Sequence, residues 1–281
     1  MAALPSDGME DDAVGPAQEI VTERLAVPVG AGTMTVHAAR PADALPRPAV
    51  LVGFEMFGLT GYVRGIAERL ARAGYLALVP DFYHRHADNG SPVALQADAA
   101  GRDRGLALVA TLGREQVRDD VQAVVDHVEK DPAANGAVAM LGLSAGGHIA
   151  FYAATQVPLA AVAMFYPGWL TATGTALSRP DPVLALAPRI AALDTPVLVL
   201  LGEADHLYTA DDRVAISAAL HDAGVRNDLV IYPDTPHGFF CDERDTYRPG
   251  PAADAWHRTL RLLRAELGTG MPGPPPPTPE S

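Results

Sequence analysis

The sequence predicts an α/β fold: a mostly parallel central sheet with an antiparallel N-terminal hairpin and helices on both faces. Three observations predict it. Short apolar runs are bounded by turn residues, helical stripes alternate with them, and a pair of half-polar segments precedes the first run. "IVTERLAVPV" (20–29) and "TMTVHAAR" (33–40) flank a Gly-Ala-Gly and read as a hairpin of half-exposed strands. "AVLVGFE" (49–55) is continuously apolar up to its last residue, as a strand buried on both faces should be. From Gly61, the positions Val63, Ile66, Ala67 and Leu70 fall at i, i+3, i+4 and i+7, and Gly74 supplies a stop. "YLALVP" (75–80) is the next strand, and Val117, Val121, Val124, Val125 and Val128 mark the next clear helical stripe. "AVAMLGL" (137–143), "LAAVAMFYP" (159–167), "PVLVLLG" (196–202) and "DLVIYP" (228–233) continue the strands. Trp256, Leu260, Leu263 and Leu267 mark the closing helix. In such sheets ligands bind beyond the carboxyl ends of the strands, so the chemistry is expected there.

A length of 281 residues fits one such domain, placed at 19–267. The acidic residues 1–18 lack periodicity, and the proline-rich 268–281 cannot hold a helix or strand, so both ends are expected to be disordered. A formal net charge of −13 argues against nucleic acid or an anionic membrane as partner. The single cysteine, Cys241, excludes an intramolecular disulfide and suits a reducing compartment. The first residues lack the basic and apolar regions of a secretory signal, and the expected location is cytoplasmic.

Gly142-Leu143-Ser144-Ala145-Gly146 satisfies G-x-S-x-G between a strand and the apolar segment "HIAFYAA". That is the setting of a nucleophile elbow, where small neighbours are needed because strand and helix nearly touch. The competing reading is a helix start with packing glycines. A serine nucleophile needs a base oriented by an acid, following it in the order acid, then histidine. Asp205 lies just past "PVLVLLG" and His237 just past "DLVIYP", and both meet that order. Asp211 and Asp212 are read as the N-terminus of the next helix, Asp234 as a turn residue and His206 as a solvated loop residue, with pocket lining as its alternative. His127, His221 and His257 are read as surface residues of helical segments. His84 and His86 form an H-x-H without a third ligand, so no metal is expected. The oxyanion hole is assigned to the backbone amides of Ala145, after the nucleophile, and Met56, after the strand "AVLVGFE".

"VGFEMFGLTGYVRGIAERLARAGYLALVPDFYHR", "GLSAGG", "GEADHL" and "PHGFF", in this order, resemble the dienelactone hydrolases (carboxymethylenebutenolidases) of the α/β-hydrolase superfamily over about 20–266. The resemblance implies the α/β-hydrolase fold and a triad of Ser144, Asp205 and His237, with serine where the family usually carries cysteine. It implies that Glu55 is the family glutamate beside the nucleophile, either orienting the hydroxyl or a water, or held as a structural carboxylate by backbone amides. The family's two substrate-binding arginines match less directly. Cys241 stands near the place of one, with Arg244 a little beyond it, and Arg102 and Arg104 lie near the place of the other. The stretch between Phe165 and Pro196 is long for the family and is expected to form a flap, with Trp169 near its start. Phe57, Tyr83, Arg102, Trp169 and Phe239 are the candidate substrate contacts.

The resulting reading is a serine hydrolase of a small-molecule ester or lactone, working through an acyl-enzyme without a cofactor. Its expected oligomeric state is monomer or homodimer, with no nucleic-acid or membrane partner. Acyl transfer or ring closure on the same acyl-serine is the enzymatic alternative, and a non-catalytic binding protein of the same fold is the other.

Overall fold

Ten residue pairs join β1 (Ile20–Val29) to β2 (Gly32–Pro41), from Ile20↔Pro41 to Val29↔Gly32, and Gly30 turns the hairpin at a φ of 57°. The structure, a computed structural model, describes residues 18–43, 45–87 and 90–268, so both expected tails fall almost wholly outside it. The remaining strands are β3 (Arg47–Gly53), β4 (Leu76–Pro80), β5 (Ala134–Leu143), β6 (Val162–Phe165), β7 (Val197–Gly202) and β8 (Asn227–Tyr232). They form one eight-stranded sheet in the order β1-β2-β4-β3-β5-β6-β7-β8, antiparallel from β1 to β4 and parallel beyond. Strands β3, β4, β6 and β7 are buried along their whole length, which is why their sequences, after Arg47 at the start of β3, read as unbroken apolar runs.

Helices α1 (Gly61–Arg72), α2 (Ala99–Val109), α3 (Arg114–Val128), α4 (Ala145–Ala153), α5 (Ala187–Ala192) and α6 (Ala210–Asp222) lie in the connections between strands, and α7 (Pro249–Leu267) follows the last strand. Side chains start three of them: the Thr60 hydroxyl accepts from the Val63 amide, Asp98 from Gly101, and Thr209 from Asp212. Asp212 returns a bond to the Thr209 amide, so its role at a helix start is as expected. The valine stripe of α3 and the apolar positions of α1 all face the core.

Two expectations need correction. β3 ends at Gly53, so Phe54 and Glu55 leave the sheet rather than finish the strand, and Glu55 stands above the strand ends. In α7 the buried residues are Ala252, Ala255, Thr259 and Leu263. The small ones let the helix lie close to the sheet. Trp256, Leu260 and Leu267 flank that face, Trp256 stacking on Phe240 with the Arg69 guanidinium 4.2 Å from its ring centroid. Among the described residues, no helix is long and apolar enough to cross a membrane.

Candidate active site

Where β5 turns into α4, Ser144 adopts φ 52° and ψ −110°, a strained conformation for a residue with a side chain. The surrounding glycines are required by contact. A Cβ on Gly146 would lie 2.1 Å from the Gly53 carbonyl oxygen, and one on Gly142 would lie 2.3 Å from that of Gly146. One on Gly147 would meet Pro167 at 2.7 Å. Strand and helix thus touch backbone to backbone, and the serine is held out at the strand end.

The Ser144 Oγ lies 2.8 Å from His237 Nε2, and His237 Nδ1 lies 2.8 Å from Asp205 Oδ2. The buried carboxylate accepts the Nδ1 proton, which leaves the Nε2 lone pair facing the serine hydroxyl. Asp205 Oδ1 accepts the Leu207 amide at 2.9 Å, so both oxygens are engaged. The two loops carrying acid and base are joined by the Ala204 amide, which donates to the Thr235 carbonyl at 3.0 Å. Glu203 accepts the Asp234 amide across the same joint. Tyr166 and His206 pack edge-on against the His237 ring, at 5.0 and 5.4 Å between centroids.

Ser144 and His237 open into a cavity of about 330 Å³, lined also by Glu55, Met56, Phe57, Arg102, Trp169 and Arg244 among others. The amides of Met56 and Ala145 make no hydrogen bond to another group of the described residues. Met56 is fixed from behind: the Tyr83 hydroxyl donates to its carbonyl at 3.2 Å, and Gly105 of α2 packs where a Cβ would lie 2.7 Å from that oxygen.

Glu55 is almost wholly buried and is held by Arg244, with Nη1 donating to Oε1 at 3.2 Å and Nη2 donating to Oε2. The expectation that backbone amides hold it is therefore replaced by a two-point ion pair. The guanidinium lies 4.9 Å from the Phe57 ring centroid. Burial, and then the negative charge of Glu55, push the Cys241 thiol up to about 11, so this cysteine stays protonated. Burial likewise raises the Tyr62 and Tyr166 phenols beside Glu55 well above the usual range.

Of the candidate contacts, Phe57, Arg102 and Trp169 line the cavity. Tyr83 and Phe239 do not. Both are fully buried, Tyr83 behind Met56 and Phe239 against Tyr166 and Tyr232 at 5.3 Å from each ring. His206 is exposed on its loop, as expected, and from there it lines the mouth of the cavity. The expected flap is a pinned segment. Arg114 donates to the Leu177 and Asp181 carbonyls, Tyr208 donates to the Pro167 carbonyl, and only Trp169 of this stretch reaches the cavity. His84 and Arg85 bind the buried Asp120, and His86 faces Thr111. Leu106 and Leu207 were missed as wall residues. Leu106 follows Arg102 by one helical turn, a spacing that carried the signal.

A model of the dienelactone hydrolase family matches residues 34–267. A Methylorubrum extorquens protein named "Putative carboxymethylenebutenolidase" is 30% identical over 249 residues, 88% of this chain and 82% of that protein. A Bradyrhizobium protein named "Probable 2-oxo-3-(5-oxofuran-2-ylidene)propanoate lactonase" is 28% identical over 232 residues, covering 82% of this chain and 89% of that one. Among solved structures, a "Putative Dienelactone Hydrolase" of Klebsiella pneumoniae superposes with a TM-score of 0.76 at 28% identity, over 87% of this chain and 98% of that one. A triad on the ends of β5, β7 and β8, the sheet order that carries it and a match across most of the chain agree: the chain belongs to the dienelactone hydrolase family.

Proposed function

We propose that the protein hydrolyses a small ester or lactone through an acyl-enzyme on Ser144. The observation that carries this is the continuous relay Ser144–His237–Asp205 opening into a cavity. The Ser144 oxygen attacks the acyl carbon as His237 Nε2 takes the hydroxyl proton, and Asp205 stabilises the imidazolium. The oxyanion takes hydrogen bonds from the Met56 and Ala145 amides, whose donor capacity the fold leaves unspent. On collapse the ester C–O bond breaks and His237 returns the proton to the leaving oxygen, which in a lactone stays tethered to the acyl group. Water then adds to the acyl carbon with His237 as base, and Ser144 leaves with the proton.

Arg102 supplies the charge for a carboxylate on the substrate, and Arg244, engaged by Glu55, shapes the neighbouring wall. Glu55 serves here as the partner of that guanidinium. The cytoplasmic location is supported by a lone, interior cysteine.

The test is labelling with a fluorophosphonate beside hydrolysis of paired neutral and carboxylate-bearing lactones. Wild type should label and turn over, and Ser144→Ala should do neither. Equal activity in Ser144→Ala would sink the serine mechanism. Equal kcat/KM for the paired lactones in wild type and Arg102→Ala would remove the carboxylate preference alone.

A further inference from the structure

One turn along α4 from the nucleophile, His148 is buried in the protein interior rather than facing the cavity. Its Nε2 lies 2.9 Å from Ser178 Oγ. Ser178 in turn donates its hydroxyl to the Trp169 carbonyl at 3.5 Å and its amide to Thr175 Oγ1 at 3.2 Å. With the Ser178 proton committed to that carbonyl, His148 Nε2–H is the donor to Ser178. The imidazole also packs against the Trp169 indole, 6.0 Å between ring centroids. Burial, reinforced by the Arg114 guanidinium, pushes His148 down to about 3, so it stays neutral at any working pH.

What this latch holds is unusual. Trp169 is the residue of the Tyr166–Pro182 stretch that reaches the catalytic cavity, and its backbone stands at a φ of 53°, in the left-handed region that costs energy for a residue with a Cβ. Arg114 clamps the far end of the stretch through the Leu177 and Asp181 carbonyls, but it makes no hydrogen bond near Trp169. Backbone restraints flank Trp169, with the Gly168 amide donating to the Ser144 carbonyl at 2.9 Å, the Ala172 amide to the Trp169 carbonyl at 3.3 Å and the Leu170 amide to the Tyr208 hydroxyl. The Ser178–His148 pair is the side-chain restraint that meets the Trp169 carbonyl. Any buried imidazole needs a hydrogen-bond partner; this one is joined through Ser178, by two successive bonds, to the backbone of a cavity wall.

We infer that His148, acting through Ser178, is a positioning residue that holds Trp169 in place as a wall of the catalytic cavity and so sets the size of ester the site accepts. This rests on the hydrolase reading for its kinetic expression. The latch couples the helix that carries the nucleophile to the wall that faces it, so the distance between them is fixed from inside.

The experiment compares 4-nitrophenyl acetate, butanoate and octanoate as substrates. In His148→Leu and Ser178→Ala the octanoate-to-acetate ratio of kcat/KM should change at least about fivefold, carried by KM rather than kcat. His148→Gln, whose amide can still donate to Ser178, should keep the ratio within about twofold of wild type. In a Trp169→Ala background the same substitutions should add less than about twofold, because they share one target. Acrylamide quenching of Trp169 fluorescence, read in a Trp256→Phe background, should rise in Ser178→Ala. Ser178→Ala removes one hydroxyl and serves if His148→Leu does not fold. Unchanged ratios, full additivity with Trp169→Ala, or unchanged quenching would each overturn the latch. A wild type that hydrolyses none of the esters and takes no fluorophosphonate would overturn the hydrolase reading instead, and the quenching result would still decide the latch.

Discussion

Arg244 closes on Glu55 from 189 residues away, and the pair forms one wall of the catalytic cavity. The chain after His237 reaches this point through successive turns, the Cys241 amide bonded to the Gly238 carbonyl and the Arg244 amide to that of Cys241. Residues 241 and 244 are thereby both brought beside Glu55.

Removing that guanidinium leaves a buried carboxylate unpaired. Arg244→Ala should lower stability by about 2–3 kcal/mol, somewhat under the range for a fully buried pair because the arginine is partly exposed. Urea unfolding monitored by circular dichroism measures it. Arg244→Ala combined with Glu55→Gln should recover at least half the loss, and no recovery would mean the cost lies in packing on Phe57.

Asp205→Asn keeps the shape of the triad but removes the charge that stabilises the imidazolium. Its kcat on a small activated ester should fall on the order of 10³–10⁴-fold with KM little changed. A loss under tenfold would point to another acid.

Tyr83→Phe deletes one hydroxyl that touches Met56 and nothing in the cavity. If the Met56 amide receives the oxyanion, kcat should drop about tenfold with KM preserved, less than the loss of a direct donor. Steady-state kinetics and the affinity of a boronic acid inhibitor should fall together, and an unaltered kcat would argue that Met56 is held well enough without it.

Burial lifts Asp81 to about 6, from an ordinary 3.8, and one of its carboxylate oxygens has no partner in the protein. The folded state therefore keeps a proton that the unfolded chain releases between these values, and stability falls as pH rises through that window. In Asp81→Asn this slope should vanish. The difference in unfolding free energy between variant and wild type should move by roughly 2 kcal/mol in favour of asparagine from pH 4.5 to 7.5. Parallel slopes for both proteins would contradict it.

The triad was legible because its signals are side-chain identities at strand ends, and unbroken apolar runs such as "PVLVLLG" mark those ends plainly. The Glu55–Arg244 pair was not, since no periodicity links a strand end to a turn 189 residues later. Tyr83 and Phe239 misled because an aromatic beside a motif looks the same in sequence whether it faces the cavity or backs it. The long stretch after β6 was legible in part: its length suggested a flap beside the pocket, and Trp169 does reach the cavity, while its anchors are carbonyl groups that side-chain identity does not reveal. In α7, the large residues of the stripe drew attention from Ala252 and Ala255, which are the ones buried.

The contact of Gly146 with Gly53 has a consequence for how such an enzyme changes over time. At that contact no side chain stands between the start of the nucleophile helix and the sheet, so there is nothing there to exchange, and a substitution at either glycine strains the fold before it alters the chemistry. The tunable part of the molecule is the opposite rim, where Phe57, Leu106, Trp169, His206 and Leu207 project from separate loops and a helix. New substrates are acquired by rewriting that rim around an unchanging serine.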